Sequence, residues 1–259
     1  MPPDDAPPTQ ELKDTALQIF DGLADSYERA LDFATLYQDR YWKSWVAEES
    51  ELGGSKLVLD VGCGTLLLEE RLRASGSTVV GIDLTRRMIR IGQGKGLSNV
   101  PLLVNGDAEA LPFKASSFDT VVSCYVAKYV DLERFTGELA RVAKPRARIV
   151  VYDFVRPRGL FFPFLALYIY GAMRIAGSLL GLTKRKEAFT FKNLPRIVAG
   201  ATWDMDFAAM LEKKDVRSGF MRRLSGGVVA GYVGTKGEGP DVLAGGLRYG
   251  RIPIRKRFA

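Results

Sequence analysis

The sequence contains no histidine and only two cysteines, Cys63 and Cys124, in 259 residues. Without histidine there is no His–Asp dyad, no Ser–His–Asp triad and no histidine-ligated metal. The cysteines form no Cys-x-x-Cys pair, which argues against structural zinc and for a reducing compartment. The first ten residues, Met1–Gln10, hold four prolines and two aspartates but no apolar run, and read as a disordered lead rather than a signal peptide. Long apolar stretches are scarce too. One stands out, Gly159–Leu182, which carries a single charge, Arg174, and is followed by Lys184, Arg185 and Lys186. Its length is enough for a membrane span, but Pro163 and its place inside a globular pattern leave open lid helices near lipid or ordinary core helices. With 47% apolar and 26% charged residues, collagen-like, disulfide-scaffold and wholly disordered classes are excluded. A net charge of +7 favours an anionic partner such as nucleic acid, an acidic metabolite or a lipid surface, and selects none of them.

What is present is a regular alternation. Apolar residues at Leu12, Ala16, Phe20, Leu23, Tyr27 and Leu31 follow steps of three and four, which predicts an amphipathic helix over Glu11–Leu31. An aromatic cluster follows at Tyr37, Tyr41, Trp42 and Trp45. From Lys56 short β-branched runs alternate with helical segments: strands at 56–61, 78–82, 100–105, 118–125 and 147–153, helices at 66–74, 86–94 and 132–142. That pattern predicts an α/β fold with a mostly parallel sheet and helices on both faces. A helix over 194–211 and a valine-rich strand at 226–234 come late, and the tail from Arg248 is basic.

The chemistry concentrates in Leu57-Val-Leu-Asp-Val-Gly-Cys-Gly-Thr65. Gly62 and Gly64 permit a tight strand-to-helix turn whose backbone can approach a ligand, and the N–H groups beyond it favour negative charge. Asp83 ends the second strand, where a carboxylate can accept both hydroxyls of a ribose. Asp107, in Gly106-Asp-Ala-Glu-Ala-Leu-Pro-Phe113, can accept from an adenine amino group, with the N–H of Ala108 beside it. A dinucleotide fingerprint is excluded, because position 67 is leucine where the third glycine would stand.

As a set, these motifs with Gly81-Ile-Asp-Leu-Thr85 and Ser116-Ser-Phe-Asp119 resemble the class I S-adenosylmethionine-dependent methyltransferases. Phe20-Asp-Gly-Leu-Ala-Asp-Ser-Tyr27, Tyr41-Trp-Lys-Ser-Trp45, Tyr152-Asp-Phe154 and Leu224-Ser-Gly-Gly-Val-Val-Ala230 are similar to the ubiquinone/menaquinone biosynthesis C-methyltransferases, the UbiE type. The resemblance implies a Rossmann-like fold with a seven-stranded sheet, and S-adenosyl-L-methionine as cofactor. It implies cofactor contacts from Asp60, Gly62, Gly64 and Thr65, from Asp83 and Leu84, from Asp107 and Ala108, and from Cys124. Lys128 and Tyr27 are implied at the acceptor, orienting and ionising a ring hydroxyl. The chain departs from the family in three places. Leu66 replaces a glycine of the cofactor loop and is expected to narrow the approach to the cofactor. Lys144-Pro-Arg-Ala147 replaces a Lys-Pro-Gly-Gly turn, which must then be built differently. Lys128 replaces an arginine, and lysine has no planar fork.

The expected layout is a disordered lead (1–10), a helical cap (11–55), the cofactor core (56–158), a lid or membrane-contact insertion (159–215), closing strands (216–236) and a basic tail (237–259). The implied reaction is C-methylation of a prenylated quinone precursor or related isoprenoid lipid. The implied setting is cytoplasmic and peripheral at an anionic membrane, with a homodimer also open. RNA methylation is the alternative suggested by charge, but no Asn-Pro-Pro-Tyr motif, paired catalytic cysteines or RNA module accompanies it, so a nucleic-acid partner is disfavoured. A cofactor-binding scaffold without catalysis is the non-enzymatic alternative.

Overall fold

The computed structural model of the chain describes residues 9–50, 56–73, 76–95, 102–156 and 196–238. The strands are β1 (Leu57–Val61), β2 (Thr78–Asp83), β3 (Leu102–Asn105), β4 (Phe118–Cys124), β5 (Ala143–Phe154), β6 (Val216–Leu224) and β7 (Val229–Lys236). They form one seven-stranded sheet in the order β3-β2-β1-β4-β5-β7-β6. The first five strands run parallel, and β7 enters antiparallel between β5 and β6. The order reverses direction at β1, which places a crevice beyond the carboxyl ends of β1 and β4. Register sets what meets there: Val61 lies opposite Ile82 and Ser123, and Asp83 opposite Asn105.

The helices are α1 (Thr9–Leu23), α2 (Tyr27–Ala34), α3 (Gln38–Glu49), α4 (Glu69–Arg73), α5 (Arg86–Gln93), α6 (Leu132–Val142) and α7 (Phe207–Glu212). Strand side chains alternate between two apolar layers, as period-two geometry requires. Leu59, Val61, Val121 and Ile149 face Phe135 and Leu139 of α6 and Phe207 of α7. Val58, Val122 and Val150 face Trp42, Trp45 and Val46 of α3 and Leu72 of α4. Trp45 fits because the facing strand residue is Gly231, where a Cβ would lie 2.3 Å from the indole.

Several expectations need correction. The lead expected over 1–10 is cut short by α1, which starts at Thr9, and the helix expected over 66–74 is α4, Glu69–Arg73. The helix expected over 11–31 is two helices, broken by a turn at 24–26 in which the Ser26 N–H donates to Leu23 O at 2.8 Å. The helix expected over 194–211 is a helical turn at 196–200 and then α7, because Trp203 between them donates its indole N–H to Phe154 O at 3.0 Å. The segment Lys144–Ala147 is no turn ahead of β5 but an irregularity inside it: β5 starts at Ala143 rather than 147, its register against β4 shifts between Phe118 and Thr120, and Arg146 takes a left-handed φ of 65° without being glycine. The apolar stretch 159–182, the basic cluster 184–186 and the tail 239–259 lie outside the described residues. Among the described residues, no helix is long and apolar enough to cross a membrane.

Candidate active site

The loop after β1 is pinned to the end of β2. Gly62 N–H and Cys63 N–H both donate to Ile82 O, at 2.7 and 3.1 Å. Gly62 has φ 82°, and a Cβ there would lie 2.3 Å from Val126 Cγ2, so only glycine lets the loop after β4 pack this close. Gly64 N–H donates to Asp83 Oδ2 at 2.8 Å, and Thr85 N–H donates to Asp83 Oδ1 at 2.7 Å. Asp83 is thereby fixed where it lines the crevice. Burial pushes its carboxyl above the usual value, against the pull of those two backbone donors.

Leu66 does not obstruct this loop. It takes the left-handed conformation that a glycine would take, φ 67°, and is 2% exposed. Its side chain turns onto α5, where a Cβ on Gly92 would lie 2.6 Å from Leu66 Cγ. It borders neither cavity of the site. The expected narrowing of the cofactor approach is corrected: glycine at 92 gives the leucine its room.

A cleft of about 730 Å³, open to solvent, lies over these corners. Of the residues singled out in the sequence, Gly62, Gly64, Asp83, Leu84, Asp107, Ala108, Cys124 and Tyr27 line it. A smaller adjoining compartment of about 310 Å³ shares Tyr27, Gly62, Gly64 and Cys124, and adds Asp60 and Thr65. Every expected site residue except Lys128 thus borders one of the two spaces. Both cysteines are buried, and burial holds their thiols well above the ordinary value. They act as small apolar packing groups at neutral pH.

Several lining residues were not foreseen. Helix α1 roofs the cleft with Lys13, Ala16, Leu17 and Phe20. Lys13 Nζ bridges Asp107 Oδ2 at 2.7 Å and Glu109 Oε2 at 2.8 Å. Burial pulls its ammonium down, but hydrogen bonds to the two carboxylates outweigh that and raise its pKa above the usual lysine value. Arg87 on α5 holds the far end of α1–α2 through Asp21 O and Asp25. Phe20 packs edge-on against Tyr27 and Tyr129, with centroids 5.9 and 5.7 Å apart, and Tyr125 completes an aromatic wall.

Lys128, expected at the acceptor, points elsewhere. Its Nζ lies 2.6 Å from Asp153 Oδ1 and donates to Tyr125 O at 2.9 Å, while its N–H donates to Asp153 Oδ2. Its side chain is 2% exposed and borders neither cavity. Asp153 needs a cation because it is wholly buried, and the loop after β4 supplies the nearest one. Lys128 therefore fixes the backbone under Tyr125. Tyr27 does line both spaces, and burial followed by Asp39 pushes its phenol well above the usual range. The phenol therefore keeps its hydrogen at neutral pH.

The chemistry of these groups fits a nucleoside bearing an amino-acid arm. Asp83 and Asp107 stand where ribose and adenine donors would be read. In the smaller compartment Asp60 Oδ1 and Thr65 Oγ1 are buried and lack a hydrogen-bond partner among the described residues. Burial, then Glu69, holds the Asp60 carboxyl well above its ordinary value. A bound donor or cation would relieve that.

Comparison with known proteins decides the family. The model of a methyltransferase domain matches residues 59–151. Demethylmenaquinone methyltransferase of Streptomyces avermitilis is 30% identical over 220 residues, 84% of this chain and 93% of that one. The enzyme of the same name from Mycolicibacterium vanbaalenii is 31% identical over 223 residues, again 84% and 93%. The chain belongs to the UbiE-type class I S-adenosylmethionine-dependent methyltransferases. A SAM-dependent methyltransferase from Thermotoga maritima shares the fold at TM-score 0.56 and 18% identity, covering 84% of this chain and 98% of its own. So does a chain of the complex between the Haloferax volcanii Trm112 methyltransferase activator and a methyltransferase, at TM-score 0.60 and 15% identity, with 84% and 97% covered. The protein is a SAM-dependent methyltransferase. S-Adenosylmethionine, when bound, supplies a methyl group that is already electrophilic, so the chain's own task is to position the acceptor and exclude water.

Proposed function

We propose that this methyltransferase C-methylates a hydroxylated quinol ring bearing an isoprenoid tail, a demethylmenaquinone- or ubiquinone-like precursor. The observation that carries the reading is the cleft's aromatic wall, Phe20, Tyr27, Tyr125 and Tyr129, set directly beside the cofactor loop. Flat apolar walls with few polar groups suit a fused ring better than a charged amine or a nucleotide. Full-length relatives that carry the demethylmenaquinone name support the same reading.

Asp83, Leu84, Asp107 and Ala108 hold the nucleoside of the cofactor, and Asp60, Gly62, Gly64, Thr65 and Cys124 hold the rest. Tyr27 donates its phenol hydrogen to the ring oxygen and so orients the neighbouring carbon toward the methyl group. Lys128 is a positioning residue that acts through Tyr125. The acceptor arrives in a bilayer, and the net charge of +7 favours an anionic surface. The segment 159–186 is the part of the sequence best suited to that contact.

The test is incubation with methyl-labelled S-adenosylmethionine and a short-tailed demethylated naphthoquinol. Label should enter a ring carbon. Tyr27→Phe should lower turnover by about tenfold, the worth of one hydrogen bond, with cofactor affinity unchanged. Label on oxygen, or none in any quinol while another lipid is labelled, refutes the assignment.

A further inference from the structure

We infer that Lys43, on α3 of the helical cap, binds the carboxylate of the cofactor's amino-acid arm, and that Asp39 is the positioning residue that aims it. Lys43 borders the smaller compartment with Asp60 and Thr65. Among the described residues, the lysines bordering either cavity are Lys13 and Lys43, and Lys13 is committed to Asp107 and Glu109 at the other end.

An ammonium has three N–H donors. Lys43 Nζ uses two on Asp39, at 2.5 Å to Oδ1 and 2.6 Å to Oδ2. Its remaining near partner is the Tyr152 hydroxyl at 3.5 Å, the outer limit of a hydrogen bond. Asp39 Oδ1 also accepts from the phenols of Tyr125 at 2.7 Å and Tyr152 at 3.0 Å. Its charge is spread over three donors, which leaves the ammonium able to hold a second anion. Asp39 and Lys43 are both buried, and α3 is fixed to the sheet through Trp45 over Gly231 and Trp42 Nε1 on Ser225 Oγ at 2.8 Å. Among the described residues, the compartment thus presents a carboxylate oxygen without a partner, a hydroxyl without a partner and an ammonium with an underused donor. An α-amino-acid terminus is the complement of that set: its ammonium to Asp60, its carboxylate to Lys43.

Lys43 lies outside residues 59–151, so the cap is part of the cofactor site. By linkage, cofactor binding tightens α3 on the sheet as much as α3 tightens the cofactor.

The test is calorimetry of the full chain with S-adenosylmethionine and with its decarboxylated form, which differ only at the carboxylate. The native chain should prefer the carboxylate-bearing ligand by about 10- to 100-fold, the worth of one charge-assisted hydrogen bond. Lys43→Met should bring the two affinities within about threefold, and Lys43→Arg should keep a preference. Should Lys43→Met fail to fold because it strands Asp39, the double variant Asp39→Asn/Lys43→Met removes both charges and is read the same way. A preference that survives the loss of Lys43 overturns the inference. So does a parallel weakening of both ligands, which is what a purely structural lysine would give.

Discussion

Leu66 offers a sharp test, because shortening it should reverse the usual ranking of alanine and glycine. Its φ of 67° costs an ordinary L-residue about 1–2 kcal/mol, and glycine nearly nothing. Its side chain is 2% exposed and fills the space over Gly92. Leu66→Ala removes that packing and keeps the strain, a loss of about 2–5 kcal/mol. Leu66→Gly removes the same packing and relieves the strain, offset in part by the greater entropy of the unfolded glycine chain. The glycine variant should therefore be the more stable of the two by about 1 kcal/mol, whereas in ordinary backbone it is the less stable by a similar amount. Urea denaturation of the three proteins, with matching slopes, measures this directly. Calorimetry should find cofactor affinity in Leu66→Gly within about twofold of native, since the side chain borders neither cavity. An alanine variant more stable than the glycine variant refutes the strain argument. A tenfold gain in affinity in Leu66→Gly refutes the placement of the side chain.

Two other sites give measurable outcomes. Glu138 accepts from the Arg141 guanidinium at 2.7 Å and from Leu111 N–H at 2.6 Å, tying α6 to the Asp107 loop, and its pKa is lowered chiefly by Arg141. Its stabilisation is full above the ordinary glutamate value of about 4.3 and is lost as pH falls through the lower folded value, so Glu138→Gln should cost about 1 kcal/mol at neutral pH and flatten the acid limb of a stability–pH curve. Gly231→Ala would set a methyl 2.3 Å from Trp45, and thermal unfolding should show a loss of about 1–3 kcal/mol from overpacking.

The parallel core was legible because its strands are short β-branched runs and its acids sit at strand ends, where period and punctuation agree. Asp83, Asp107 and the two loop glycines are local features, each within a few residues of the turn that explains it. Elsewhere the local signal was silent or misleading. The turn 24–26 between α1 and α2 holds no glycine or proline, although Gly22 stands just before it, and apolar residues continue in helical steps across it. Strand β6 hides its alternation behind a register shift near Ser218, which has φ 53°. Lys13 meets Asp107 from 94 residues away, and no pattern in α1 announces it. Asp39 and Lys43 lie at helical spacing on one face, which ordinarily marks a solvated ion pair, and only the tertiary fold buries them. Lys128 failed in the opposite sense: a likeness of sequence gave its position in the chain but not the partner, Asp153, that claims its charge.

The insertion of β7 between β5 and β6 bears on how the protein is made. Both edges of β7 are hydrogen-bonded, from Val229 onward on the β5 side and to Val216–Leu224 on the other. A nascent chain emerging from the ribosome cannot seal the sheet until residues 229–236 have left the exit tunnel. Until then β5 offers an open ladder to any neighbouring extended segment, the kind of exposed edge that invites aggregation. Synthesis slowed just before residue 229 would lengthen that exposure, and a chain released there would carry the cofactor loop intact on a sheet that has no closing strand.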